Sequence, residues 1–406
     1  MMRAGQSPLD SPAIGTAPND LIQPCAERDP RPARPPAPDV LPAFSMAYSG
    51  GGFRATLAGL GVLRFIADAG LLGRVRYVSS VSGGSVAHGL LARDYTQLRA
   101  AGFSREAVDR LVIAPFVEAI SSRSLTKELL RNLWRAFGGL TRTDLLAEAF
   151  DRWFYGGLLL EQLPTGCRFI FNASSVTTGV RFGFERDVVG DWVMGRAATE
   201  GSGIRLSQAV AASAAVPGAF APLEVADLAF PCAKGVTPKL LDGGAYDNMG
   251  LEPIDDLADV CLVAVNAGGL FATGTYGGLP VIRDLRRAQG LLYRQTTALR
   301  MRSMVERFKA FEEAREKDEE PPPWARLGVV FGLATTPEAT EEWLEGRPDH
   351  DEWRLETARL PTVFSSFTPE MCRKVIYRTW WLTGAVLSRY HRALLPTELP
   401  EWTELS

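Results

Sequence analysis

The sequence predicts an α/β fold on a mainly parallel sheet. Two apolar runs, "AFSMAYS" (43–49) and "RVRYVSSV" (74–81), each lead into glycines and then into a helical pattern. Strand, helix, strand, helix with short joints makes a right-handed βαβ unit, whose strands lie parallel. Further short buried runs, "RFIFNASSV" (168–176), "KLLDGG" (239–244) and "DVCLVAVNA" (259–267), supply more strands.

Taken in order, residues 1–40 carry nine prolines and end in "RPARPPAPD", a composition that cannot bury a core and reads as a disordered leader. "FRATLAGLGVLRFIADAG" (53–70) sets Leu57, Leu60, Leu63 and Ile66 at helical spacing and closes at Gly70. "GGSVAHGLLARDY" (83–95) is a second helix, and residues 104–153 are mainly helical. "VRFGFER" (180–186) is a strand, and "RLSQAVAASAAVPGAFAP" (205–222) is a helix of small residues broken by Pro217. Residues 281–320 and 370–395 are two long helices. The expected organisation is one catalytic domain over 41–396, with a core at 41–267 and a C-terminal helical extension at 278–396.

Composition removes several function classes. A net charge of −3 over 406 residues gives nucleic acid nothing to hold. Five cysteines without CxxC spacing read as reduced, buried thiols, and three histidines without ligand spacing argue against a metal centre. The chain has no apolar run long enough to span a bilayer and no secretory-signal pattern, so it is expected to be cytoplasmic, peripheral to a membrane at most. Residues 283–309 hold eight Arg or Lys against two acids. They form either a basic face for anionic lipid or, the plainer and preferred reading, a solvated helix face.

Three glycine clusters carry the chemistry: "SGGGFRA" (49–55), "SVSGGS" (80–85) and "DGGAYDN" (242–248). In the second, Ser82 sits at a strand-to-helix turn, the nucleophile-elbow pattern G-x-S-x-G with Ser80 in place of its first glycine. Alone it reads equally well as a structural turn. Gly50, Gly51 and Gly52 stand at the same sheet edge, where backbone N–H groups can hold an oxyanion. Their spacing fits neither phosphate-binding glycine pattern, GxxxxGK[ST] or GxGxxG. His88 lies about 240° around its helix from Ser82 and does not reach it. His350 and His391 read as surface or packing residues. The remaining base is Asp242, at the end of a strand and before two glycines.

The order "SGGGFRA", "SVSGGS", "ASAAVPGAFAP" (212–222) and "LDGGAYDN" resembles the patatin-like phospholipases and their cytosolic phospholipase A2 relatives. The resemblance implies a three-layer α/β/α fold and a lipid acyl hydrolase with a Ser–Asp dyad. It implies Ser82 as nucleophile, Asp242 as its partner, and Gly50, Gly51 and Gly52 with the Gly83 N–H as the oxyanion hole. Arg54 matches the arginine after that loop, and either meets a phosphate headgroup or pins the turn. The resemblance covers residues 41–250, requires no metal or organic cofactor, and makes the partner a lipid at a membrane surface; protein partners are left open. Acyl transfer by the same dyad and a silent lipid-binding protein are the rival readings.

Overall fold

The computed structural model describes residues 24–26, 32–257, 259–270, 278 and 280–405. The chain runs through β1 (Ala43–Tyr48), α1 (Gly52–Asp68), β2 (Val75–Val81), α2 (Gly83–Ala100), β3 (Arg168–Ser175), β4 (Arg181–Phe184), β5 (Val188–Asp191) and β6 (Gly195–Ala198). It continues through α3 (Leu206–Ser213), β7 (Leu223–Glu224), β8 (Lys239–Asp242), β9 (Val260–Asn266), α4 (Pro280–Glu316), β10 (Gly328–Gly332) and α5 (Pro369–Tyr390), the principal elements. Smaller helices run from Arg105 to Tyr155, matching the mainly helical stretch expected over 104–153, and one more short helix follows at Leu160–Gln162.

The sheet order is β10-β9-β1-β2-β3-β4-β5-β6, with β8 joining β3 and β7 joining β8. β10, β9, β1, β2 and β3 are parallel, and β4 to β6 extend the sheet as an antiparallel ribbon. Both faces of the parallel part are covered, which is why β1 is apolar and buried along its whole length.

One register detail decides where the site forms. β2 pairs with β3 up to Val81 opposite Asn172. On that same edge β8 then takes over, antiparallel, with Asp242 opposite Ala173. Ser82 and Asp242, far apart in sequence, are therefore delivered to adjacent positions of one strand edge.

The C-terminal helices belong to the same core. α5 crosses α1 so closely that a Cβ on Gly61 would lie 2.0 Å from Thr379 Oγ1 and 2.3 Å from the Ile376 carbonyl oxygen. Trp380 Nε1 donates to Asp68 at 2.7 Å across the crossing. No described helix is long and apolar enough to cross a membrane.

The cysteine reading needs correction. Cys167, Cys261 and Cys372 are buried free thiols as expected, but Cys25 and Cys232 form a disulfide across 207 residues of sequence. Local spacing has no access to such a pair; the fold brings the leader to the end of the ribbon, where Cys25 N–H donates to Trp192 O and Cys232 N–H to Met194 O. Disulfides persist in oxidising compartments, so the cysteines no longer support a cytoplasmic placement. Around Cys25 the leader is tied down, and Arg76 Nε donates to Pro36 O at 2.6 Å; residues 1–23 and 27–31 lie outside the described residues.

Candidate active site

Ser82 occupies φ 52°, ψ −123°, a conformation that residues with a side chain rarely hold. The glycines after it explain why the turn survives. A Cβ on Gly83 would lie 1.9 Å from the Gly52 carbonyl oxygen, and one on Gly84 would lie 2.6 Å from those of Tyr48 and Ser49. The first two glycine clusters touch backbone to backbone, and only glycine allows it.

Behind Ser82 runs a chain of hydroxyls. Ser213 Oγ donates to Asn172 O at 2.6 Å and accepts the Ser82 N–H at 2.9 Å. Its one hydrogen being committed, Ser85, 2.9 Å away, must donate to it. By the same count Ser80 donates to Ser85 at 3.0 Å, and His88 Nδ1 donates to Ser80 at 2.6 Å. His88 is thus neutral with a bare Nε2; that atom has no partner among the described residues, the ring stacks on Phe171, and burial holds its pKa well below the usual value. Ser80, where the elbow pattern has glycine, is a member of this chain. His88 acts on the turn, not on the Ser82 hydroxyl.

Asp242 is 2 % exposed. Burial pushes its pKa up to about 6, against hydrogen bonds from the Ser82 hydroxyl and from Gly244 N–H at 2.8 Å. His350 stacks on Trp353, and His391 is buried against Gly328 O at 3.1 Å, so neither belongs to the site.

The glycine loop divides its labour. Gly50 N–H donates to Asn248 O at 3.0 Å, which removes it from the expected oxyanion donors. The N–H groups of Gly51, Gly52 and Gly83 have no acceptor among the described residues. Arg54 is committed to structure: Nε donates to Ala267 O at 2.9 Å, Nη2 to Thr362 Oγ1 at 3.0 Å, and Nη1 to Leu360 O. It is 1 % exposed, and burial lowers its pKa to about 10. Of its two readings, the structure keeps the one that pins the turn.

Ser82 and Asp242 open into a cavity of about 1060 Å³. Val216, Pro217 and Ala219 form one apolar wall, and α4 supplies another through Tyr293, Ala298 and Met301. Ser213 and the α4 residues escaped the sequence reading. Ser213 was visible as a hydroxyl within an alanine-rich helix, whereas α4 is brought over the site by tertiary packing alone.

The patatin-like phospholipase family profile matches residues 46–255. No curated protein matches the sequence. Among solved structures, human GIVD cytosolic phospholipase A2 is similar at 14 % identity and a TM-score of 0.51, over 87 % of this chain and 60 % of that one. The same human protein with methyl gamma-linolenyl fluorophosphonate and terbium chloride matches at 16 % identity and a TM-score of 0.48, over 87 % and 60 %. VipD from Legionella pneumophila matches at 15 % identity and a TM-score of 0.31, over 79 % and 66 %. The profile match spans more than half of the sequence, through each of the glycine clusters: the chain belongs to the patatin-like phospholipase family.

Proposed function

We propose that the protein is a serine hydrolase of phospholipid acyl esters, with Ser82 as nucleophile and Asp242 as its base. The observation that carries this reading is the meeting of the two side chains at the β2–β8 junction on β3, in a hydrogen bond that faces the cavity. Ser82 Oγ attacks the ester carbonyl while its proton passes to Asp242. The N–H groups of Gly51, Gly52 and Gly83 meet the oxygen as it gains charge. Collapse of the tetrahedral species expels the alkoxide, which takes the proton from Asp242 and leaves as the alcohol. Water, deprotonated by Asp242, then attacks the acyl-enzyme, and Asp242 returns that proton to Ser82 Oγ as the fatty acid is released. A carboxylate raised towards neutrality is a stronger base than an ordinary aspartate, and the buried site supplies that shift.

A fluorophosphonate probe tests the reading. Wild type is expected to label on Ser82 and to release fatty acid from phospholipid micelles, and Ser82→Ala to do neither. Labelling that persists in a folded Ser82→Ala protein overturns the assignment.

A further inference from the structure

The proposed reaction leaves open what distinguishes a phospholipid from an uncharged acyl ester, since Arg54 is buried and committed to three backbone and side-chain acceptors. We infer that Arg287 and Arg294 of α4 form the phosphate-binding subsite of the cavity and make it selective for phospholipids; this rests on the Ser82 reading.

The cavity's charge is the first argument. Among the described lining residues the only acid is Asp242, engaged with Ser82 and Gly244, and the only cations are Arg287 and Arg294.

Helix geometry is the second. Seven residues separate the pair, so they project within about 20° of each other, about 10 Å apart along the axis. Tyr293 fixes the level of the dyad along the α4 axis. A Cβ on Gly244 would lie 2.6 Å from Tyr293 Cε1 and 2.9 Å from Asp242 Oδ1, so the ring stands beside the dyad. The negative charge of Asp242 adds to burial in raising the Tyr293 pKa. Arg294 therefore lies at the level of the dyad along the helix axis, on the neighbouring cavity-lining row, and Arg287 lies two turns farther towards the N-terminal end of α4. An acyl glycerol whose carbonyl is on Ser82 carries its phosphate a few bonds away, within the cavity that both arginines line. The planar guanidinium fork suits phosphate oxygens, and two such groups in the lining of an otherwise largely apolar cavity leave the apolar wall to the acyl group.

The test compares phosphatidylglycerol with diacylglycerol of the same chains in uncharged mixed micelles. The expected result is that R287Q/R294Q lowers the ratio of the two kcat/KM values at least tenfold, chiefly through KM for the phospholipid. R287K/R294K, which keeps the charge and loses the fork, should recover part of that ratio. If the glutamine pair fails to label with fluorophosphonate, the single variants R287Q and R294Q are read by the same ratio. An unchanged ratio in labelled protein overturns the inference and leaves the hydrolase standing, whereas wild type inert on both lipids overturns the hydrolase. Inorganic phosphate is the remaining probe. If it inhibits wild type on both lipids alike, and the variants lose that inhibition yet keep the wild-type ratio, the pair serves free phosphate and the headgroup role is excluded.

Discussion

Ser82 carries two burdens. A left-handed backbone at a residue with a side chain costs on the order of 1–3 kcal/mol, and the hydroxyl it presents leans on a buried carboxylate. The carboxylate has a thermodynamic consequence. Between pH 3.8 and about 6 the folded chain holds a proton on Asp242 that the unfolded chain has released. Stability is lost across that window as pH rises, and above it the loss is complete, about 3 kcal/mol by the size of the shift. Asp242→Asn is therefore expected to abolish ester hydrolysis and raise the melting temperature at pH 8. In wild type kcat should climb from pH 5 to 7, following ionisation of the base. Calorimetry and a pH–rate profile check both, and a less stable Asp242→Asn would contradict the burial argument.

The elements differ in how far the sequence revealed them. β1, β2 and their helices were legible because a parallel strand must end in a turn, and glycine marks a turn that another backbone approaches. The junction of β2 and β8 on β3 was not legible, since strand register is set by pairing partners that spacing does not encode. The hydrogen bond that occupies Gly50 N–H and the choice between the two readings of Arg54 were hidden for a similar reason: a motif supplies donors, and only packing decides where each is used. β10 lay beyond the reach of the resemblance. α4 was legible as a helix but its environment was not. Among its described residues none before Thr297 is buried, and Val281, Leu285 and Leu292 are 72 %, 66 % and 66 % exposed. This stripe points away from the cavity side and fits a lipid surface better than the solvated face the charges suggested. Leu285→Ser with Leu292→Ser should weaken vesicle binding by about tenfold per leucine, with hydrolysis of a soluble ester affected far less. Co-sedimentation with vesicles gives the measure; binding that ignores both substitutions sends the stripe back to solvent.

For the whole molecule, the leader and the ribbon are one covalent body through Cys25 and Cys232. Closing a loop of this length removes on the order of 5 kcal/mol of chain entropy from the unfolded state, so Cys232→Ser should lower the melting temperature markedly. The bond also turns most of the catalytic core into a ring, with Ser82 inside it and Asp242 just past its closing cysteine. A ring cut once remains one piece. Cleavage at the exposed turn around Glu200 and Gly201 would part the segment of Ser82 from that of Asp242 in sequence, yet leave them fastened together. Such a nicked enzyme should migrate as a single species on a non-reducing gel and as two fragments after reduction, with hydrolysis surviving the cut for as long as the sulfur link holds.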